Sequence, residues 1–132
     1  VSEGTVIRVF LADDHPVMVA GLARVLATVP DMAVVGTAQA MAGLDAQAAG
    51  SIDVLVLDVS MPGMHGSETI KALRERHAPV LLFTLEPETA LVVELLRAGA
   101  SGVVGKSERV EVLLDAIRTV AGGGRVMPSG MH

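Results

Sequence analysis

Four short apolar runs each stop at a residue able to do chemistry. Asp13 and Asp14 follow residues 6–12, Asp58 follows 52–57, Thr84 follows 80–83 and Lys106 follows 102–105. Three carboxylates gathered in one place repel, and at neutral pH they are tolerated only if a cation joins them or a proton is retained. The set holds no His and no Cys, so its ligands are oxygens and Mg²⁺ is the favoured ion, held by a few carboxylates, a loop carbonyl and waters. Lys106 adds a fixed charge, and Thr84 offers a hydroxyl donor where an anionic oxygen could sit. Such an ensemble fits a phosphoryl group bound to, or transferred onto, one carboxylate.

These residues can meet only if the elements carrying them are parallel strands, whose carboxyl ends share one sheet edge where open α/β sheets bind ligands. The rest of the chain supports that arrangement. Pro16 opens a helix as a first-turn residue, and Met18, Leu22, Val25, Leu26 and Val29 share one face until Pro30-Asp31. A second run at 32–36 precedes an alanine-rich helical segment, 38–49, that ends at Gly50. Residues 67–76 read as a charged amphipathic helix around Ile70 and Leu73, and 88–98 as a helix ending at Gly99. The last helix places Val110, Leu113, Leu114, Ile117 and Val120 on one face before Gly122-Gly123-Gly124. Five strands alternating with five helices predict an α/β doubly wound, five-stranded parallel sheet covered on both faces. The second run carries no polar end, as expected of a strand at the sheet margin. Residues 1–124 form one domain, and 125–132, with Pro128, Gly130 and no periodicity, start a linker or terminal tail.

Composition narrows the function classes. At 132 residues and 51% hydrophobic content the chain can bury a full core. Phe10 and Phe83 are the only aromatics, which leaves no platform for stacking nucleic acid bases. Fifteen acids against ten bases give a net charge of −5, which opposes nonspecific binding to DNA or anionic membranes. No Cys is present, which suits a reducing compartment, with the cytoplasm as the default. No apolar run reaches the ~18 residues of a membrane span, and Val-Ser-Glu-Gly-Thr at the start lacks a basic stretch before an apolar one. A soluble, unprocessed domain with no membrane partner is expected.

The segments LADDHPVMVAGLARVL, IDVLVLDVSMPGMHG, VLLFT and AGASGVVGKS resemble the receiver domain of bacterial two-component response regulators across residues 6–126. The resemblance implies a flavodoxin-like strand order of 2-1-3-4-5. It also implies that Asp58 accepts a phosphoryl group from a phosphohistidine on a sensor histidine kinase. Asp14, Asp58 and the Ser60 backbone carbonyl would hold Mg²⁺ directly, with Asp13 acting mainly through coordinated water. Thr84 and Lys106 would hold phosphoryl oxygens, and Ser60 and Glu86 would border the acyl phosphate and set its lifetime. Slow self-dephosphorylation is the most enzymatic activity expected. Asp13-Asp14-His15-Pro16, the AGASG stretch, the GGGRVMP tail and Ser107 in place of a proline after Lys106 are similar to receivers that precede a LuxR-type helix-turn-helix domain. DNA would then be bound only through an output domain outside these 132 residues. A homodimer would form through the first and fifth helices or through the fourth helix and fifth strand.

Two positions depart from the family pattern. Leu85 follows the hydroxyl where a small residue is usual, and Val103 replaces the Tyr or Phe usual three places before the lysine. In the family that ring follows the hydroxyl inward on phosphorylation. A valine has no ring to swing, and Leu85 is expected to fill the neighbouring space, so weakened or differently routed switching is predicted. The alternative function is an atypical receiver that acts as a phosphorylation-independent interaction domain. Plainer readings stand beside the chemical ones: Asp58 alone reads as a cap or surface charge, and Asp13 or Asp14 could cap the Pro16 helix. Lys71 reads as solvated, while His15, His65 and His77 lack ligand spacing and read as surface or loop residues, His15 adjoining the acid pair. Met61 and Met64 flank the Pro62-Gly63 turn where a kinase could touch them. Residues 100–107 nearly spell a phosphate-binding loop, but Ala100 stands for the required Gly and Val103-Val104 look like strand. A haloacid-dehalogenase-like site would need Asp where Ser60 stands.

Overall fold

The computed structural model describes residues 5–47, 51–64 and 66–128. Strands β1 (Ile7–Ala12), β2 (Met32–Ala38), β3 (Val54–Asp58), β4 (Val80–Thr84) and β5 (Gly102–Gly105) alternate with helices α1 (Pro16–Ala27), α2 (Met41–Gln47), α3 (Ser67–Arg76), α4 (Ala90–Arg97) and α5 (Val110–Ala121). The strands form one parallel sheet in the order β2-β1-β3-β4-β5, the doubly wound order that the family resemblance implies.

Alternation along each strand explains why the runs look uniformly apolar. Val9, Leu11, Val54, Val56, Leu81 and Phe83 pack in a core with side chains of α1 and α5. Their neighbours Phe10, Leu55, Leu57, Val80, Leu82 and Val103 pack in a second core with side chains of α3 and α4. A strand covered on both faces needs apolar residues at every position. At about 1.5–3 kcal/mol for each fully buried aliphatic side chain, these two cores supply the stability against which like charges can be gathered at the strand ends.

Several boundaries differ from the sequence reading. Strand β2 runs on past Gly36 because Thr37 and Ala38 continue the ladder opposite Leu11 and Ala12. Helix α1 ends at Ala27 because the Thr28 hydroxyl and N–H both donate to the Val25 carbonyl. Helix α4 starts at Ala90, two residues late, because the Thr89 hydroxyl accepts the Val92 N–H at 3.3 Å and so caps the helix. Strand β3 starts at Val54 because the Asp53 carboxylate takes the Arg8 N–H at 2.8 Å. Helix α2 starts at Met41, three residues after the expected start, and its expected end at Gly50 lies outside the described residues. So do His65, residues 1–4 with the start of the N-terminal reading, and residues 129–132 of the tail.

The segment after α5 turns back onto the sheet. Val126 bridges Gly102 in parallel, the Val103 N–H donates to the Val126 carbonyl at 3.0 Å, and the Val126 N–H donates to the Ser101 carbonyl at 2.9 Å. Arg125 donates to the Leu96 carbonyl in the last turn of α4 and to the Ala100 carbonyl just beyond it. This backbone covers the outer edge of β5, which would otherwise present unpaired N–H and C=O groups. Gly102 is required for the close approach, since a Cβ there would stand 2.5 Å from the Val126 oxygen. Among the described residues no helix is long and apolar enough to cross a membrane.

Candidate functional site

Parallel register brings the carboxyl ends of β1, β3, β4 and β5 together, and with them Asp13, Asp14, Asp58, Thr84 and Lys106. The side chains of Asp13, Asp58 and Lys106 are 4%, 2% and 4% exposed, and the Lys106 Nζ lies 2.9 Å from Asp13 Oδ2 and 3.3 Å from Asp58 Oδ2. Its backbone N–H donates to the Thr84 carbonyl at 2.7 Å, and its ammonium stands 5.7 Å from the centre of the Phe83 ring, near enough for a cation–π attraction. Asp13 Oδ2 and Asp14 Oδ1 accept no hydrogen bond of good geometry, so the contact between Lys106 and Asp13 Oδ2 is ionic. Three carboxylates thus face one lysine, and the pocket keeps negative charge for a further cation.

Burial pushes the Asp58 carboxyl up. The Ser60 N–H at 3.1 Å, the Ser60 hydroxyl at 2.9 and 3.1 Å and the Lys106 charge outweigh that push and hold it below the usual carboxylate value. Asp58 is therefore an anion at neutral pH, buried at the floor of a cleft of about 360 Å³ whose walls include Ser60, Thr84, Leu85, Glu86 and Lys106. Thr84 is 7% exposed, and its hydroxyl oxygen accepts the Glu86 N–H at 3.4 Å. A larger cleft of about 670 Å³ opens around Arg74, Arg97 and Arg125 and contains none of these residues; the chemistry belongs to the smaller one.

His15 stands in the acid group rather than beside it. It is the N-cap of α1, its N–H donates to Asp13 Oδ1 at 2.8 Å, and its Nδ1 lies 2.8 Å from that oxygen and 3.1 Å from Asp14 Oδ1. Spacing between histidines could not reveal this; adjacency to the acid pair was the available signal. The acids do not cap α1, because Asp13 instead closes a two-residue turn onto His15. Leu85 does not fill the space behind Thr84 but is 68% exposed, whereas Val103 is 5% exposed within the core. Met61 is 2% exposed and cannot meet a partner, while Met64 packs half-buried against the core. Lys71 is exposed, and His77 is half-buried at the end of α3. Residues 102–105 are buried strand, which removes the phosphate-loop reading of that segment.

Comparison with known proteins agrees with this architecture. Residues 9–118 match the family model of the response regulator receiver domain. The chain is 37% identical over 127 residues to the nitrate/nitrite response regulator protein NarP of Escherichia coli K12, covering 94% of this chain and 59% of that protein. It therefore spans a little over half the length of such curated relatives. A two-component response regulator of the LuxR family from Aurantimonas superposes with a TM-score of 0.83 at 31% identity, covering 95% of this chain and 91% of that one. The non-phosphorylated receiver domain of RcsB from Escherichia coli shares the fold, with a TM-score of 0.84 at 24% identity over 95% of this chain and the whole of that one. With the acids, hydroxyl and lysine at its strand ends and the receiver model matched from β1 into α5, the chain belongs to the response regulator receiver family of two-component systems, alongside LuxR-family regulators.

Proposed function

We propose that this domain accepts a phosphoryl group on Asp58 from the phosphohistidine of a sensor histidine kinase, in a Mg²⁺-dependent reaction, and passes the resulting change to the output domain of a cytoplasmic transcription regulator. The observation that carries the reading is Asp58 itself, a buried carboxylate kept ionised at the floor of an open cleft with an ammonium 3.3 Å away. In the transfer, one Asp58 oxygen attacks phosphorus, the P–N bond to the donor imidazole breaks, and the bonding pair leaves with that ring. Lys106 is placed to hold a phosphoryl oxygen, and Thr84 to donate its hydroxyl to another.

The residues present fit the metal. Asp13 Oδ2 and Asp14 Oδ1 lack hydrogen bonds, and the donors around them are mainly carboxylate oxygens, the chemistry Mg²⁺ prefers. Asp14, Asp58 and the Ser60 carbonyl would hold it, with Asp13 acting through water. When bound, Mg²⁺ supplies charge neutralisation for the incoming phosphoryl oxygens. The Ser60 hydroxyl already lies on both Asp58 oxygens, and it must release at least one before transfer. The phosphorylation-independent alternative has only Val103 in its favour, since Leu85 faces solvent, and the complete set of acids, hydroxyl and lysine outweighs it.

Incubation with acetyl phosphate and Mg²⁺ followed by intact-mass measurement tests the proposal. A gain of one phosphoryl group in the wild type, absent in Asp58→Asn, is expected. No gain with acetyl phosphate or with a phosphorylated kinase would overturn it, and steady turnover of small phosphate esters would mean a phosphohydrolase instead.

A further inference from the structure

We propose that His15 is a nitrogen ligand of the divalent cation in this cleft and shifts the site's preference from Mg²⁺ toward transition ions such as Mn²⁺ and Co²⁺. The inference rests on the reading that the cleft binds a divalent cation. The His15 Nδ1 stands 2.8 Å from Asp13 Oδ1, 3.1 Å from Asp14 Oδ1 and 3.6 Å from Asp58 Oδ2. Adjacent ligands around an octahedral ion with bonds of about 2.1 Å are separated by about 3.0 Å, so the separation from Asp14 Oδ1 matches that of neighbouring ligand atoms on one coordination shell, and that from Asp58 Oδ2 is wider. The contact with Asp13 Oδ1 is a hydrogen bond when Nδ1 carries the proton, and the Lys106 Nζ lies 3.4 Å from Nδ1, so ligation replaces these two contacts. One ligand atom from each of Asp13, Asp14, His15 and Asp58 lies within 4.8 Å of all the others, close to the roughly 4.2 Å span of opposite ligands in such a shell.

Two further observations point to a ligand. The Asp13 side chain is 96% buried and faces the cleft with an oxygen, Oδ2, that accepts no hydrogen bond, so it is prepared for a cation beyond the ionic contact with Lys106. The His15 backbone is also fixed, since its N–H donates to Asp13 Oδ1 and its carbonyl accepts the Val19 N–H at 3.0 Å in the first turn of α1. The backbone that carries the imidazole is thus held in place, while the ring itself is 57% exposed along the cleft. The tautomer that carries its proton on Nε2 offers the Nδ1 lone pair to a metal ion. Mg²⁺ gains little from a nitrogen donor, whereas Mn²⁺ and Co²⁺ accept imidazole alongside carboxylates.

Manganese is the probe, because its electron spin reports the nuclei bonded to it. In the full chain loaded with Mn²⁺, pulsed EPR is expected to show the nitrogen coupling of a directly bound imidazole, and His15→Ala is expected to lose it. Mn²⁺ affinity should fall by at least about 10-fold in the variant, with Mg²⁺ affinity almost unchanged. His15→Gln, which keeps a polar side chain, should likewise lose the nitrogen signal and serves if the alanine variant folds poorly. Three outcomes overturn the inference: Mn²⁺ bound by the wild type with no nitrogen coupling, coupling that survives both substitutions, or tighter Mn²⁺ binding by His15→Ala, which would make the ring a plug in the ion's place. Failure of the wild type to bind any divalent ion would overturn the Mg²⁺-dependent reading as well, whereas a missing nitrogen coupling in a protein that still binds Mn²⁺ leaves the acetyl phosphate result at Asp58 unaffected.

Discussion

Asp14 contributes charge to the cleft without gaining a hydrogen bond at Oδ1, and its side chain is 32% exposed, so it adds repulsion that the fold does not require. Asp13 and Asp58, by contrast, each lie within 3.3 Å of Lys106. Functional sites commonly hold such strain, and removing it stabilises the protein at the cost of activity. In the absence of a divalent ion, Asp14→Asn is expected to gain about 1 kcal/mol, raising the thermal midpoint by about 3–5 °C. The same substitution should remove most of the stabilisation that added Mg²⁺ confers on the wild type. Calorimetry of both proteins with and without Mg²⁺ checks this, and a lower midpoint for the variant would show that Asp14 is a structural partner after all.

At the scale of elements, β5 is held from two sides: by β4 along Leu81 to Thr84 and by the returning backbone at Val126. Val103 sits between them, buried in the same core as Val92, Leu95 and Leu96 of α4, with Met127 packed against that core. A ring that swings is absent, but the segment after α5 is itself tied to β5 and, through Arg125, to the carbonyls of Leu96 and Ala100 at the C-terminal end of α4. Movement of β5 and α4 would therefore reach Arg125 and Val126 through hydrogen bonds. Gly102→Ala should break this tie, because the new Cβ meets the Val126 backbone. A loss of about 1–3 kcal/mol is expected, with faster amide exchange at Val103 and Val126 while the β1–β3 ladder stays protected. Unchanged exchange at Val126 would show that the segment is not held by this bridge.

Across the whole molecule, a clamp joins the turn before β2 to α5. Arg118 donates to both carboxylate oxygens of Asp31, at 2.7 and 3.1 Å. The Arg118 hydrogen bond lowers the Asp31 pKa against a smaller opposing effect of burial. Its folded value thus lies below the unfolded one of about 3.9, so the stabilisation is present above that value and is lost as pH falls through the folded pKa. Both side chains are more than a third exposed, which keeps the contribution at or below about 1 kcal/mol. Urea unfolding should show Asp31→Asn slightly less stable than wild type at pH 7 and equal to it well below pH 3; a gap that persisted in acid would place its origin elsewhere. This pair was invisible in the sequence, because Asp31 and Arg118 are far apart along the chain and Asp31 reads there only as part of the Pro30-Asp31 break. The periodicities were visible: apolar runs buried on both faces, helices with one apolar face, and polar residues exactly where runs stop, which together implied a parallel sheet with Asp13, Asp14, Asp58, Thr84 and Lys106 at one edge. Local hydrogen bonds then moved the boundaries, as Thr89 did for α4 and Asp53 for β3. Tertiary structure alone decided that Leu85 faces solvent, that the tail returns to β5 and that His15 enters the acid group. Those outcomes depend on the direction of a side chain or the path of a loop in space, which residue type and spacing along the chain do not specify.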